Sequence, residues 1–159
     1  MLIVGAIAFD KIQTPFDKTD KTLGGAATYS AIAASYFVDN LKLISVVGED
    51  FNEENLKIFK KRKINLKGLK IIEGRKTFIW SGKYYNDMNI CKTLNVDLNV
   101  LKDFDPVFPK SYEKPTCLLI GSLDPEIQLK TIKSVKKKPK LIVLDTQNYW
   151  INHSKNKLK

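Results

Sequence analysis

Four short apolar runs constrain this chain more than any other feature: "LIVGAIAF" (2–9), "LKLISVVG" (41–48), "TCLLIGS" (116–122) and "KLIVLDT" (140–146). The first is apolar almost without interruption, the pattern of a strand covered on both faces, as parallel sheets require. The second is rich in β-branched residues, and the last two read as buried strands of the same kind. Between the runs lie helical patterns. In 26–37, Ala27, Ala31 and Ala34 recur at helical spacing and make a smooth stripe for close packing on a sheet. In 52–62, Leu56 and Phe59 share one side, with acids early and lysines late, as the helix dipole prefers. In 124–137, Asp124 is placed to cap and Pro125 to open the first turn. Strand alternating with helix predicts α/β layers.

The middle of the chain breaks this rhythm. Residues 66–100 hold no helical pattern and read as two or three strands, "TFIWSGKYY" and "ICKTLNVDLNV", joined by the turn signal "NDMN". Phe78, Trp80, Gly82 and Tyr84 fall on one face of the first of these strands. An aromatic face outside the helix-covered pattern predicts a sheet flap beside the main fold.

Composition narrows the functional classes. At 159 residues, 43% of them hydrophobic, the chain suits one domain with a real core. No apolar run approaches the roughly 20 residues that span a bilayer, and the opening segment lacks a basic leader, so a cytoplasmic protein without a membrane partner is the expectation. A net charge of +10 raises nucleic-acid binding, but only Arg62 and Arg75 are arginines and the lysines are scattered. Nucleic-acid readers gather their charge on one face and use arginine for bidentate contacts. Two cysteines and a single histidine, His153, cannot make a structural zinc site or a histidine-based triad.

The stretch "LGGAATYSAIAA" carries the first chemical hint. Gly24 and Gly25 stand at a helix start where Ser or Asp would cap better. Glycine admits positive φ and close approach of backbone to a ligand, and the first-turn N–H groups of a helix are free to bind one. The dinucleotide fingerprint fails, since the turn after the first strand reads "GAIAFD", and no phosphate-binding P-loop is present. Spacing alone leaves two readings open, a tight helix-entry turn and a ligand cradle.

Taken together, "VGAIAFD", the glycine pair about fourteen residues later, and "VVGEDF" at the end of the next strand resemble the N-terminal half of the PfkB/ribokinase-like carbohydrate kinases. "VLDTQNYW" is similar to a further pattern of that family, in which an Asp and an Asn follow a central strand. The resemblance implies a three-layer α/β/α ribokinase-like (Rossmann-like) sheet, incomplete at its C-terminal side, with a small β lid over residues 66–100. It implies that Asp10 binds sugar hydroxyls, that Gly24 and Gly25 line the sugar pocket, and that the lid closes on the sugar and often mediates dimers. Where the family commonly carries Asn four positions after the second glycine, this chain has Tyr29, with Thr28 beside it as an alternative polar contact. Sugar and nucleoside therefore both stay open as substrates. Asp10 has a rival role as a turn cap, and Trp80 and Tyr84 have a rival role in fixing the lid to the core.

The family's second half carries a G-A-G-D motif whose backbone forms an anion hole and whose Asp is the catalytic base. No such motif occurs in these residues, so the expected base lies beyond residue 159, and ATP and Mg²⁺ are implied only for a full-length family member. The resulting expectation is the sugar-binding half of an ATP-dependent carbohydrate kinase, inactive alone, from a truncated frame, a fragment or a half that meets another chain. The alternatives are a non-catalytic sugar- or nucleoside-binding or dimerising remnant, and a basic nucleic-acid-binding domain.

Overall fold

The computed structural model describes residues 1–158. Five parallel strands make the main sheet: β1 (Leu2–Val4), β4 (Lys42–Gly48), β5 (Asn65–Ile72), β8 (Cys117–Ile120) and β9 (Leu141–Leu144), in spatial order β5-β4-β1-β8-β9. Helices α1 (Ala26–Ala34) and α2 (Glu53–Lys60) cover one face. Their core is built on Ile3, Ile7, Ala27, Ala31, Leu43 and Phe59. The other face is covered by α3 (Pro125–Ser134) and by the 98–112 segment with its 3₁₀ turns at Asn99–Asp103 and Lys110–Tyr112. There Leu2, Val4, Ile44, Leu118 and Ile120 meet Val100, Phe104 and Tyr112. The three-layer α/β expectation holds.

The alanines of α1 set its distance from the sheet. A Cβ added to Gly121, just past β8, would lie 2.9 Å from the Ala26 Cβ, and one on Gly5 would lie 3.3 Å from the Ala27 Cβ. Small residues on both sides let helix and sheet backbones approach closely. Caps follow the sequence signals: Asn52 and Asn55 cap each other's backbone N–H at the head of α2, and the Asp124 carboxylate accepts from Glu126 N–H at 2.8 Å.

The second sheet corrects three expectations. The apolar run 2–9 is two strands, because the chain leaves the main sheet after Gly5 and enters the lid as β2 (Ala8–Gln13). At the crossover the Ala6 carbonyl accepts from Ala27 N–H at 3.0 Å, so this segment seats the head of α1 instead of continuing β1. The stretch between the first apolar run and the glycine pair, to which the sequence assigned no element, forms β3 (Lys18–Gly24) antiparallel to β2; its polar "KTDKT" carries no apolar alternation that could announce a strand. Residues 65–72 belong to the main sheet, paired with β4. The lid is therefore β3-β2-β6-β7, with β6 (Phe78–Tyr84) parallel to β2 and antiparallel to β7 (Cys91–Asp97).

"VVGEDF" fastens this lid. Asp50 Oδ1 accepts from Thr77 N–H at 2.8 Å and from Thr77 Oγ1 at 2.7 Å, and Thr77 Oγ1 in turn accepts from Gly48 N–H. The Asn99 amide donates to the Thr77 carbonyl at 2.9 Å. Residue 48 must be glycine, since a Cβ there would stand 2.3 Å from the Arg75 carbonyl oxygen.

The strand expected to be buried at 140–146 is instead an exposed edge: Leu141 is 55% exposed, Val143 39% and Leu144 46%. Among the described residues β9 pairs with β8 alone, and the two short helices after it, α4 (Asn148–His153) and α5 (Lys155–Leu158), leave those side chains uncovered.

Candidate functional site

The α1 head, the crossover from β1 and the base of the lid meet around a cavity of about 380 Å³, a volume suited to a small polar molecule. Ala6, Ala8, Asp10, Gly25, Ala26 and Tyr29 line one side; Phe78 and Trp80 come from the lid, and Ser122, Asp145, Thr146 and Gln147 from just beyond the carboxyl ends of β8 and β9. Ligands of open α/β sheets bind beyond those strand ends.

Asp10 sits on β2 in register with Trp80 of β6, so both side chains leave the same face of the lid. The residue is only 9% exposed. Burial pushes its carboxyl up from the ordinary 3.8 to about 6. The carboxylate lies directly over Gly24, where an added Cβ would stand 2.0 Å from Oδ2. Gly24 is bare to make room for the acid. Gly25 is bare for a different reason: its φ is +92°, and a Cβ would meet the Ala6 carbonyl oxygen at 2.4 Å and the Ala8 nitrogen at 2.8 Å. The pair thus shapes the chain's own backbone and carboxylate into the cavity wall.

The remaining sequence candidates are placed as follows. Tyr29 lines the cavity rim and is 59% exposed. Thr28 is buried within α1 and its hydroxyl donates to the Gly24 carbonyl at 2.6 Å, which fixes the helix head and turns it away from the cavity. Trp80 lines the cavity while its ring lies across Gly82, whose Cβ would be 2.1 Å from the ring, and its indole N–H donates to Thr93 Oγ1. Tyr84 lies further out on the same lid strand, opposite Cys91. Its phenol is pushed up first by burial, then by Cys91 and by the charge of Asp10. The cavity brings together Asp10, Gly25, Tyr29 and Trp80 and leaves Gly24, which lies under the Asp10 carboxylate, Thr28 and Tyr84 outside its lining.

Sequence reasoning missed Ser122 and the Asp145–Gln147 turn as cavity wall. Both follow parallel strands directly, and the strand-end rule would have found them. A buried glutamine holds this wall: Gln128 Nε2 donates to the carbonyls of Gly121 at 2.9 Å and Asp145 at 2.7 Å.

The donor set suits a neutral polyhydroxy ligand. Asp10 and Asp145 supply acceptors, and among the described residues no Lys or Arg lines the cavity. No cluster of three or more His, Cys, Asp or Glu side chains suited to a metal ion occurs among the described residues.

No protein-family model matches the sequence, and no curated protein matches it either. Solved structures do. The chain is similar to a nucleoside kinase of Methanocaldococcus jannaschii, an archaeal member of the ribokinase family, at 25% identity and a TM-score of 0.73, covering 99% of this chain and 56% of that one. It is similar in fold to the Burkholderia thailandensis nucleoside kinase in complex with inosine (13% identity, TM-score 0.76, 99% and 55% covered). The ribokinase of Cryptococcus neoformans var. grubii serotype A in complex with ADP also shares the fold (16%, 0.74, 92% and 49%). The chain spans about half the length of the solved structures it matches.

Proposed function

We propose, from the ribokinase-like fold of this chain, that it forms the substrate-binding half of an ATP-dependent kinase that phosphorylates a hydroxyl of a sugar or nucleoside. The observation that supports this reading best is Asp10. A carboxylate held nearly out of water, facing a cavity lined by no basic residue among those described, gains most from ligand hydroxyls that replace lost water. Two hydroxyls can each donate to one carboxylate oxygen. The half-buried Trp80 offers an aromatic face for the C–H side of a sugar ring, and the neighbouring lid limits water access from above.

Positioning is what these residues contribute. Phosphoryl transfer also needs a proton acceptor at the attacking oxygen and groups that stabilise charge on the transferring phosphate. ATP with Mg²⁺ would supply the phosphoryl group, and the cavity wall described here holds the acceptor side only. The exposed outer strand β7, with Leu94 and with Ile90 just before its start, is the surface through which the lid would pair in a dimer. Among the described residues no helix is long and apolar enough to cross a membrane, and an ATP-consuming reaction places the protein in the cytoplasm in this reading.

The test is a thermal-shift and calorimetry panel of D-ribose, D-fructose, adenosine and inosine on the 159-residue chain, alongside a coupled ATP-consumption assay. At about 100 times its Kd a cavity ligand stabilises the fold by about 2.7 kcal/mol. The expected result is a shift for at least one compound, lost in Asp10→Asn, without turnover. Robust turnover, or no response to any compound, overturns the reading.

A further inference from the structure

We infer that Ser122 is a second substrate anchor, holding the ligand from the main sheet while Asp10 holds it from the lid. The inference rests on the substrate reading above and adds to it a specificity residue that no sequence motif flagged. Ser122 Oγ is shielded from bulk water and has no hydrogen-bond partner among the described residues. Hydroxyls buried in that state are rare, because the lost hydration goes uncompensated. Ser122 lines the same cavity as Asp10.

Its neighbours fix the backbone that carries the hydroxyl. Gly121 packs against Ala26 at the α1 head and against Gly5, and its N–H donates to the Val4 carbonyl at 2.8 Å. Its carbonyl accepts from the buried Gln128 amide, which also grips the Asp145 carbonyl. The backbone on either side of the cavity wall is therefore fixed, and Ser122 is held at the head of α1 with its hydroxyl unused. The other tightly placed polar side chains nearby are committed elsewhere: Thr28 donates to Gly24 and the Trp80 indole to Thr93.

The two anchors have complementary chemistry. An ionised Asp10 only accepts, whereas a serine hydroxyl both donates and accepts. A ligand that satisfies both must carry a hydroxyl that donates to Asp10 and a second oxygen, a hydroxyl or a ring ether, that meets Ser122. Such oxygens on two sides of one small ring describe a furanose or pyranose and exclude a simple monoalcohol.

The experiment measures binding of D-ribose, 2-deoxy-D-ribose, adenosine, 2′-deoxyadenosine and 3′-deoxyadenosine to wild type, Ser122→Ala and Asp10→Asn, with melting temperatures recorded for each. Ser122→Ala is expected to weaken the hydroxylated ligand about tenfold, the loss of one hydrogen bond. The melting temperature should stay the same or rise, since an unsatisfied hydroxyl is removed. One analogue should bind wild type and Ser122→Ala equally, and it identifies the oxygen that Ser122 meets. A melting temperature lowered by Ser122→Ala assigns the hydroxyl to the fold and overturns the inference, as does unchanged affinity for every ligand. Loss of binding in Asp10→Asn with full binding in Ser122→Ala sinks the Ser122 role alone. Absence of wild-type binding to all five sinks the substrate reading and this inference with it.

Discussion

Replacing Asp10 with asparagine should make the protein more stable while removing its ligand. The carboxyl is held at about 6 against an ordinary 3.8, purely by burial. A difference of about two pH units corresponds to about 3 kcal/mol, which cavity water reduces to about 2 kcal/mol. The sign follows from proton counting. Below about pH 4 the group is protonated whether folded or not, and burial carries no penalty. Between about 4 and 6 the folded chain keeps a proton that the unfolded chain has released, so stability falls as pH rises. Above about 6 the charge is present in both states and the full penalty applies. Asparagine keeps the shape without the charge, so at pH 7.5 Asp10→Asn should melt about 4–8 °C higher than wild type. That gain should shrink to nothing near pH 4. The Tyr84 phenol, pushed further upward, stays neutral throughout and does not confuse the comparison. Urea unfolding of both proteins from pH 4 to 8, plotted as a difference, isolates the one group. A destabilised variant at pH 7.5, or a difference that does not change with pH, would refute the reasoning.

Gly25→Ala should cost about 3 kcal/mol or more, because positive φ and two backbone clashes act together, and chemical denaturation measures it. Gly24→Ala should cost far less stability but lose binding, since the side chain displaced is the Asp10 carboxylate itself; equal losses from the two substitutions would contradict the division of labour drawn here. Asp50→Ala should cost about 2–3 kcal/mol by leaving the buried Thr77 N–H and hydroxyl without their acceptor, and should quicken proteolysis at Arg75 and Lys76.

Much of this architecture is written in local pattern. The strand-and-helix alternation, the alanine stripe of α1 and the Asp124–Pro125 helix start are short-range signals, and each appears where its chemistry requires. What escaped is non-local. "LIVGAIAF" has one composition throughout, yet Gly5–Ile7 leaves one sheet for another because Ala6 is needed under α1. The strand β3 is invisible because both faces of its "KTDKT" run carry polar residues, and the contact of Lys21 with the Phe9 ring across to β2 follows no local periodicity. Of the site, Asp10 and the glycines were legible from spacing and resemblance. The reason for the glycines was not, since it depends on a carboxylate fourteen residues away folding back over Gly24. Ser122 looked like an ordinary residue after a strand until its unpartnered hydroxyl and Gln128's grip on Gly121 were seen together.

These details decide which part of the lid can respond to a ligand. Asp10 reaches the cavity on β2, which enters the lid only three residues after leaving β1, and those residues are tied to α1. The lid's other central strand, β6, begins directly after Thr77, which Asp50 and Asn99 hold from two directions. Both strands are therefore clamped at their bases, and Asp10 lies close to its clamp. The outer parts, from Gly82 through the Tyr85–Ile90 turn and into β7 before Val96 packs on the core, have no comparable hydrogen-bonded tie to the main sheet among the described residues. Closure over a ligand should accordingly bend the distal lid while Asp10 and Ser122 keep their spacing. A charged anchor already fixed before binding avoids the cost of ordering it during binding, and that cost would otherwise fall on a nearly buried carboxylate.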